Sequence, residues 1–119
     1  MEKFLAKALL TTVSVLLAAY LLSGVHVKDV LTAALVAVVL GLLNSFIKPL
    51  LIILTIPITI VTLGLFLLVI NILIVKWAAS IVPGFTVEGW FTALLFSIIV
   101  SISTSLLEGL IGSKEKRDE

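Results

Sequence analysis

The chain has 119 residues, 61% of them hydrophobic and 13% charged, with a formal net charge of +1 and a mean hydropathy of +1.37. Soluble domains carry about 25% charged residues, and here six of the fifteen charges are crowded into Lys114 to Glu119. A water-soluble globule and a broad basic field for nucleic acid are both excluded, and the absence of cysteine removes disulfides, thiol redox chemistry and thiolate metal sites.

The first apolar stretch, residues 4–22, has the length of a membrane span. Lys3 and Lys7 at its start resemble the basic region of a signal peptide, but no clear small-x-small cleavage site follows, so the segment reads as retained. Gly24 to Asp29 then alternates apolar and polar residues, the pattern of a short extended segment. A second span covers 30–47. The next run, Leu50 to Val75, would reach about 39 Å as one helix and contains Pro57, which removes a backbone donor and clashes with the preceding turn. Breaking it there predicts a half-helix over 49–56 in the cytoplasmic leaflet and a third span over 58–79. Thr55, Thr59 and Thr62 supply hydroxyls to the backbone groups freed near Pro57. After a second alternating segment, Gly84 to Gly89, a fourth span covers 91–110.

The fold class expected is an all-α membrane protein of four transmembrane helices. It forms one domain over 1–113, followed by a disordered charged anchor at 114–119. Lys3, Lys7, Lys48, Lys114, Lys116 and Arg117 fall on the side shared by the termini, against Lys28 and Lys76 on the other. The positive-inside rule then places both termini in the cytoplasm, and Tyr20, Trp77 and Trp90 fall at the opposite boundary, as interfacial aromatics do.

A shift of 60 residues aligns Gly24 to Leu35 with Gly84 to Leu95, matching Gly, Val, Thr, Ala and Leu, and pairs Ala18-Ala19 with Ala78-Ala79. Two hairpins of two spans, repeated in parallel about an axis along the membrane normal, are expected. The two extended segments, near that axis, would pair as a small ribbon. Small residues recur every fourth position in span two, at Ala33, Ala37, Gly41 and Ser45, and in span four, at Ala93, Ser97, Ser101, Ser105 and Gly109. Small-xxx-small faces let helix backbones approach closely. Spans two and four are therefore expected to touch at Gly41 and Ser101, with Gly41→Leu disrupting the fold. The competing use of one ladder is contact with a neighbouring subunit.

Asn44 and Asn71 are amides within spans, suited to interhelical hydrogen bonds or to lining a path. Lys28 aligns with Glu88 and Lys48 with Glu108, opposite charges at equivalent positions, read as wet loop residues and as side chains reaching the cytoplasmic interface. His26 is the only histidine. Without a second histidine, a cysteine or paired intramembrane carboxylates, the sequence offers no metal site, triad or acid/base couple. No catalytic residue, cofactor or small-molecule substrate is assigned.

The run from Asn44 through Lys48-Pro49, Thr55-x-Pro57-x-Thr59-x-x-Thr62-Leu-Gly64-Leu-Phe66 and Asn71, followed by Pro83-Gly84 and Trp90, resembles phage holin family 4, the four-span holin superfamily IV. These are the YvlD-like small bacterial membrane proteins. The resemblance implies a non-enzymatic protein of the bacterial cytoplasmic membrane with lipid around it and copies of itself as partners. The expected activity is permeabilisation by oligomers. A scaffold in envelope stress, or a minimal channel or transporter with a path near Asn71, are the alternatives.

Overall fold

A computed structural model describes the backbone of residues 2–118 and the side chains of residues 2–111. In chain order it forms α1 (Glu2–Leu21), β1 (Val25–Val27), α2 (Val30–Leu42), a π-helical turn (Leu43–Ile47), α3 (Lys48–Leu54), α4 (Ile56–Val61), α5 (Phe66–Ile81), β2 (Phe85–Val87) and α6 (Gly89–Asp118). Three stretches are long and apolar enough to cross a membrane, Glu2–Leu21, Val30–Leu54 and Gly89–Ile111, and Phe66–Ile81 is a shorter apolar helix.

The four long helices form a ring. α1 packs along α2 and α6, α5 packs along α6 and α2, and α2 and α6 face each other across the middle. At one end of the ring the interior is a dry apolar layer. Val15, Val36 and Phe96 are fully buried there, and the Phe96 ring lies 5.4 Å from Phe85 beneath the strands.

The two alternating segments do pair, as an antiparallel ribbon closing that end, with Val25 opposite Val87, His26 opposite Thr86 and Val27 opposite Phe85. Lys28 N–H donates to Gly84 O at 2.9 Å and Glu88 N–H donates to Gly24 O at 2.8 Å, extending the ribbon at both ends. Both glycines are needed by close approach. A Cβ on Gly24 would stand 2.9 Å from Thr92 Cγ2, and one on Gly84, whose φ is +86°, would stand 3.0 Å from Lys28 Cβ. Gly24 thus seats against Thr92 in the first turn of α6, and Gly84 against Lys28 and Thr32 at the entry to α2. Asp29 caps α2, accepting from Thr32 N–H at 2.8 Å and from Thr32 Oγ1 at 2.7 Å. Those two bonds hold its carboxyl below the usual carboxylate range.

Three expectations are corrected by the helices. The second span does not end at Ile47, and 49–56 is not a separate half-helix: the helix continues from Val30 to Leu54. A proline inside a helix clashes with the carbonyl four residues earlier. The wide π turn just before Pro49, in which Lys48 N–H reaches back five residues to Leu43 O, gives the ring room, so the helix continues past it without breaking. The break falls at Thr55 instead, with Pro57 in the first turn of α4, where its missing N–H is harmless. Nor is 58–79 one helix. α4 stops at Val61 and α5 starts at Phe66, because Leu63 and Gly64 take φ of +57° and +89° and Gly64 N–H returns to Thr59 O at 2.8 Å, closing a Schellman-type end. At the chain's far end the backbone of α6 is helical to Asp118. The side chains of the expected charged anchor at 114–119 lie outside the described residues.

Candidate functional site: a polar cavity between the helices

At the end of the ring opposite the ribbon, the interior opens. A cavity of about 370 Å³ is lined by Phe4, Lys7, Ala8 and Thr11 of α1, by Ala37, Leu40 and Gly41 of α2 with Asn44 and Ser45 of the π turn, and by Val100, Ser101, Thr104, Ser105 and Glu108 of α6. A second lobe of about 50 Å³ shares Leu40, Asn44, Val100 and Ser101 with it and adds Lys48, Asn71, Ile74, Val75, Phe96 and Ser97. The lobes therefore meet between α2 and α6, with α1 on one side and α5 on the other.

The lining follows from residue size. Toward the ribbon the facing positions hold Val36 and Phe96, which fill the interior. One and two turns further they shrink to Gly41, Ser45, Ser101 and Ser105, with nothing large to replace them. A Cβ built on Gly41 meets no atom within 4 Å. The expected close contact of spans two and four at Gly41 and Ser101 is thus absent, and both residues face the cavity. The physical reason is that a small residue only permits close approach, while the bulk of its neighbours decides whether approach happens.

The remaining ladder residues do not share one role, Ala37 and Ser97 lining the lobes as well. Ala33, Ala37 and Ala93 are buried in the core, whereas Gly109 is exposed beside open space. Ser97 turns its hydroxyl back to Leu94 O at 2.8 Å.

The polar groups of the cavity reach into the middle of the bundle. In its wall between α6 and α1, Thr104 Oγ1 donates to Ser14 Oγ at 3.0 Å, and Ser14 Oγ donates to Leu10 O at 2.9 Å. At its mouth Lys7 Nζ stands 4.0 Å from Glu108 Oε1. Among the described residues Lys48 has no carboxylate within ion-pair distance. Ser14, Thr104, Lys7 and Glu108 were not singled out from the sequence as site residues. The available signal was the shift of 60, which pairs Thr104 with Asn44 and Glu108 with Lys48.

The motif between the lobes and α5 shapes the chain more than the cavity. Thr55 Oγ1 donates to Leu51 O at the break before Pro57. Thr62 Oγ1 donates to Ile58 O at 3.0 Å and accepts from Phe66 N–H at 3.2 Å, spanning the turn at Gly64. Thr59 Oγ1 is buried without a hydrogen-bond partner among the described residues. Pro83 and Gly84 belong to the turn into β2, at the ribbon end. His26 lies 3.6 Å from Glu88 on the wet face of the ribbon, and no group of three or more metal-ligating side chains occurs among the described residues.

Comparison with known proteins agrees with a membrane bundle of this size. The family model for the mycobacterial 4 TMS phage holin, superfamily IV, matches residues 2–106. Uncharacterized membrane protein YvlD of Bacillus subtilis is 41% identical over 88 residues, covering 73% of this chain and 74% of that protein. Uncharacterized protein SCO3922 of Streptomyces coelicolor is 36% identical over 121 residues, covering 93% of this chain and 97% of that protein. No solved structure matches the chain. With the family model running from the first helix into the last over residues 2–106, this chain belongs to the four-span phage holin superfamily IV.

Proposed function

We propose that the chain is a non-enzymatic protein of the bacterial cytoplasmic membrane, one membrane domain with both termini and the charged tail in the cytoplasm, that changes membrane permeability only as a homo-oligomer. The observation carrying this reading is that the cavity is blind. Its lining turns apolar at Ile74, Val75 and Phe96, and the fully buried Val36 and then the ribbon lie beyond them. A single copy offers polar side chains over one part of its depth and a dry apolar plug over the rest, which is a barrier to ions.

Two duplicated hairpins account for the shape. Residues 60 apart in the sequence stand opposite each other in the ribbon at His26 and Thr86. Residues 60 apart also line the cavity together, as with Gly41 and Ser101, Asn44 and Thr104, Ser45 and Ser105. An axis through the ribbon and down the cavity relates them, so the cavity sits where the two halves meet.

Reconstitution tests the permeability reading. Leakage of a small dye from vesicles should rise more steeply than linearly with protein density. Leakage linear in density would point to a conducting monomer and contradict the blind cavity. Vesicles tight at every density, with undisturbed cells on overexpression, would favour a scaffold role instead.

A further inference from the structure

We infer that the cavity is a binding site for a phosphate group, carried by an anionic lipid headgroup or free in solution, with Lys48 as its counter-ion. The first support is charge. Of the three ionisable groups at the cavity, Lys7 and Glu108 face each other at 4.0 Å, which leaves the Lys48 ammonium as the uncompensated charge among the described residues. The second is donor chemistry. Around Lys48 stand the Asn44 and Asn71 amides and the Ser101 hydroxyl, neutral groups able to donate to phosphate oxygens. Space is available as well: the lobe that Lys48 lines is only about 50 Å³, but it shares Asn44 and Ser101 with the main lobe of about 370 Å³, which falls in the range of small-molecule sites, roughly 300–1,000 Å³.

Depth is the independent support. Lys48 lies 18 residues along the helix from Val30, and Glu108 lies 19 along α6 from Gly89. At 1.5 Å per residue both stand roughly 27 to 29 Å from the ribbon end, close to the ~30 Å thickness of the hydrocarbon core. The mouth is therefore level with the headgroups of one leaflet, where phosphates are concentrated, and basic pockets between transmembrane helices are known to hold such headgroups. The inference is independent of whether oligomers leak.

The test is calorimetric titration of the purified protein in maltoside micelles with two probes, dihexanoyl phosphatidylglycerol and inorganic phosphate. Lys48→Gln should weaken binding at least about tenfold, as loss of the charged partner in a hydrogen-bonded pair does. Gly41→Leu, which projects a side chain into the main lobe and leaves Lys48 in place, should weaken it similarly, so the site remains testable if Lys48→Gln fails to fold. Lys28→Gln, at the ribbon end, should leave it unchanged. Binding of the lipid alone with this pattern identifies a headgroup site, and binding of both probes identifies a site for the phosphate itself. Absence of binding by either probe, equal binding by Lys48→Gln, or equal weakening by Lys28→Gln would overturn the inference.

Discussion

His26 and Thr86 stand directly opposite each other in the antiparallel ribbon, although 60 residues of chain and two long helices separate them. Opposed residues of an antiparallel pair have Cα atoms about 4.5–5.5 Å apart, inside the range a disulfide spans. The double variant His26→Cys/Thr86→Cys should therefore cross-link within one chain under mild oxidation. His26→Cys/Glu88→Cys, two residues out of register, should cross-link much more slowly. The reverse order, measured by mobility after oxidation, would mean a different register.

The glycines separate strain from space. Gly84→Ala puts a side chain at φ +86° and 3.0 Å from Lys28 Cβ, so it should cost about 1–3 kcal/mol and lower the melting temperature in detergent. Gly41→Leu meets open space and exchanges a poor helix former for a good one, a gain of up to about 1 kcal/mol. It should leave the melting temperature unchanged or raised. Destabilisation by Gly41→Leu equal to that of Gly84→Ala would mean that α2 and α6 are in contact after all.

The buried hydroxyl pair offers a double-mutant cycle. Thr104 donates to Ser14 at 3.0 Å between α6 and α1, and membrane side-chain hydrogen bonds of this sort average about 0.6 kcal/mol. Ser14→Ala and Thr104→Val should each destabilise modestly, with a coupling near that value. Additive losses would show that the two hydroxyls do not depend on each other.

Much of the fold can be read from the sequence because its causes are local. Spanning length, the glycines before the alternating segments and the shift of 60 identify the helices and the ribbon without reference to packing. Pro49 and Pro57 misled because a proline marks a place where the helix must adjust, and the adjustment is chosen elsewhere. A π turn at Leu43–Ile47 carried the helix past Pro49, and the left-handed Leu63-Gly64 pair, not Pro57, set the start of α5. The cavity was hidden for a different reason. Gly41 and Ser101 look the same in a sequence whether they let helices touch or leave a space, and only the bulk of Val36 and Phe96 one turn away distinguishes the two. Lys48 and Glu108 at the ladder's polar end were the clue that the space would be wet.

Asp29 predicts a pH dependence. Its carboxyl is held below the usual range by the bonds to Thr32, so the cap stabilises the fold above the ordinary carboxylate pKa of about 4 and is lost as pH falls through the lower folded value. The stability difference between the native chain and Asp29→Ala should be constant near neutrality and should shrink in acid below that range. A difference that grows on acidification would assign the cap the opposite sign.

The central claim is that one end of the bundle holds a wet cavity and the other an apolar seal. Ser101 lies where the two lobes meet, so the most direct measurement is the reaction of Ser101→Cys with an impermeant thiol reagent in sealed vesicles, with His26→Cys reporting the ribbon side. Ser101→Cys should react when the reagent is on the side of Lys7 and Glu108 and stay unmodified when it is on the side where His26→Cys reacts. Modification from the ribbon side would reveal a continuous path through the monomer, and protection from both sides would show that the cavity is not open to water; either result contradicts the account.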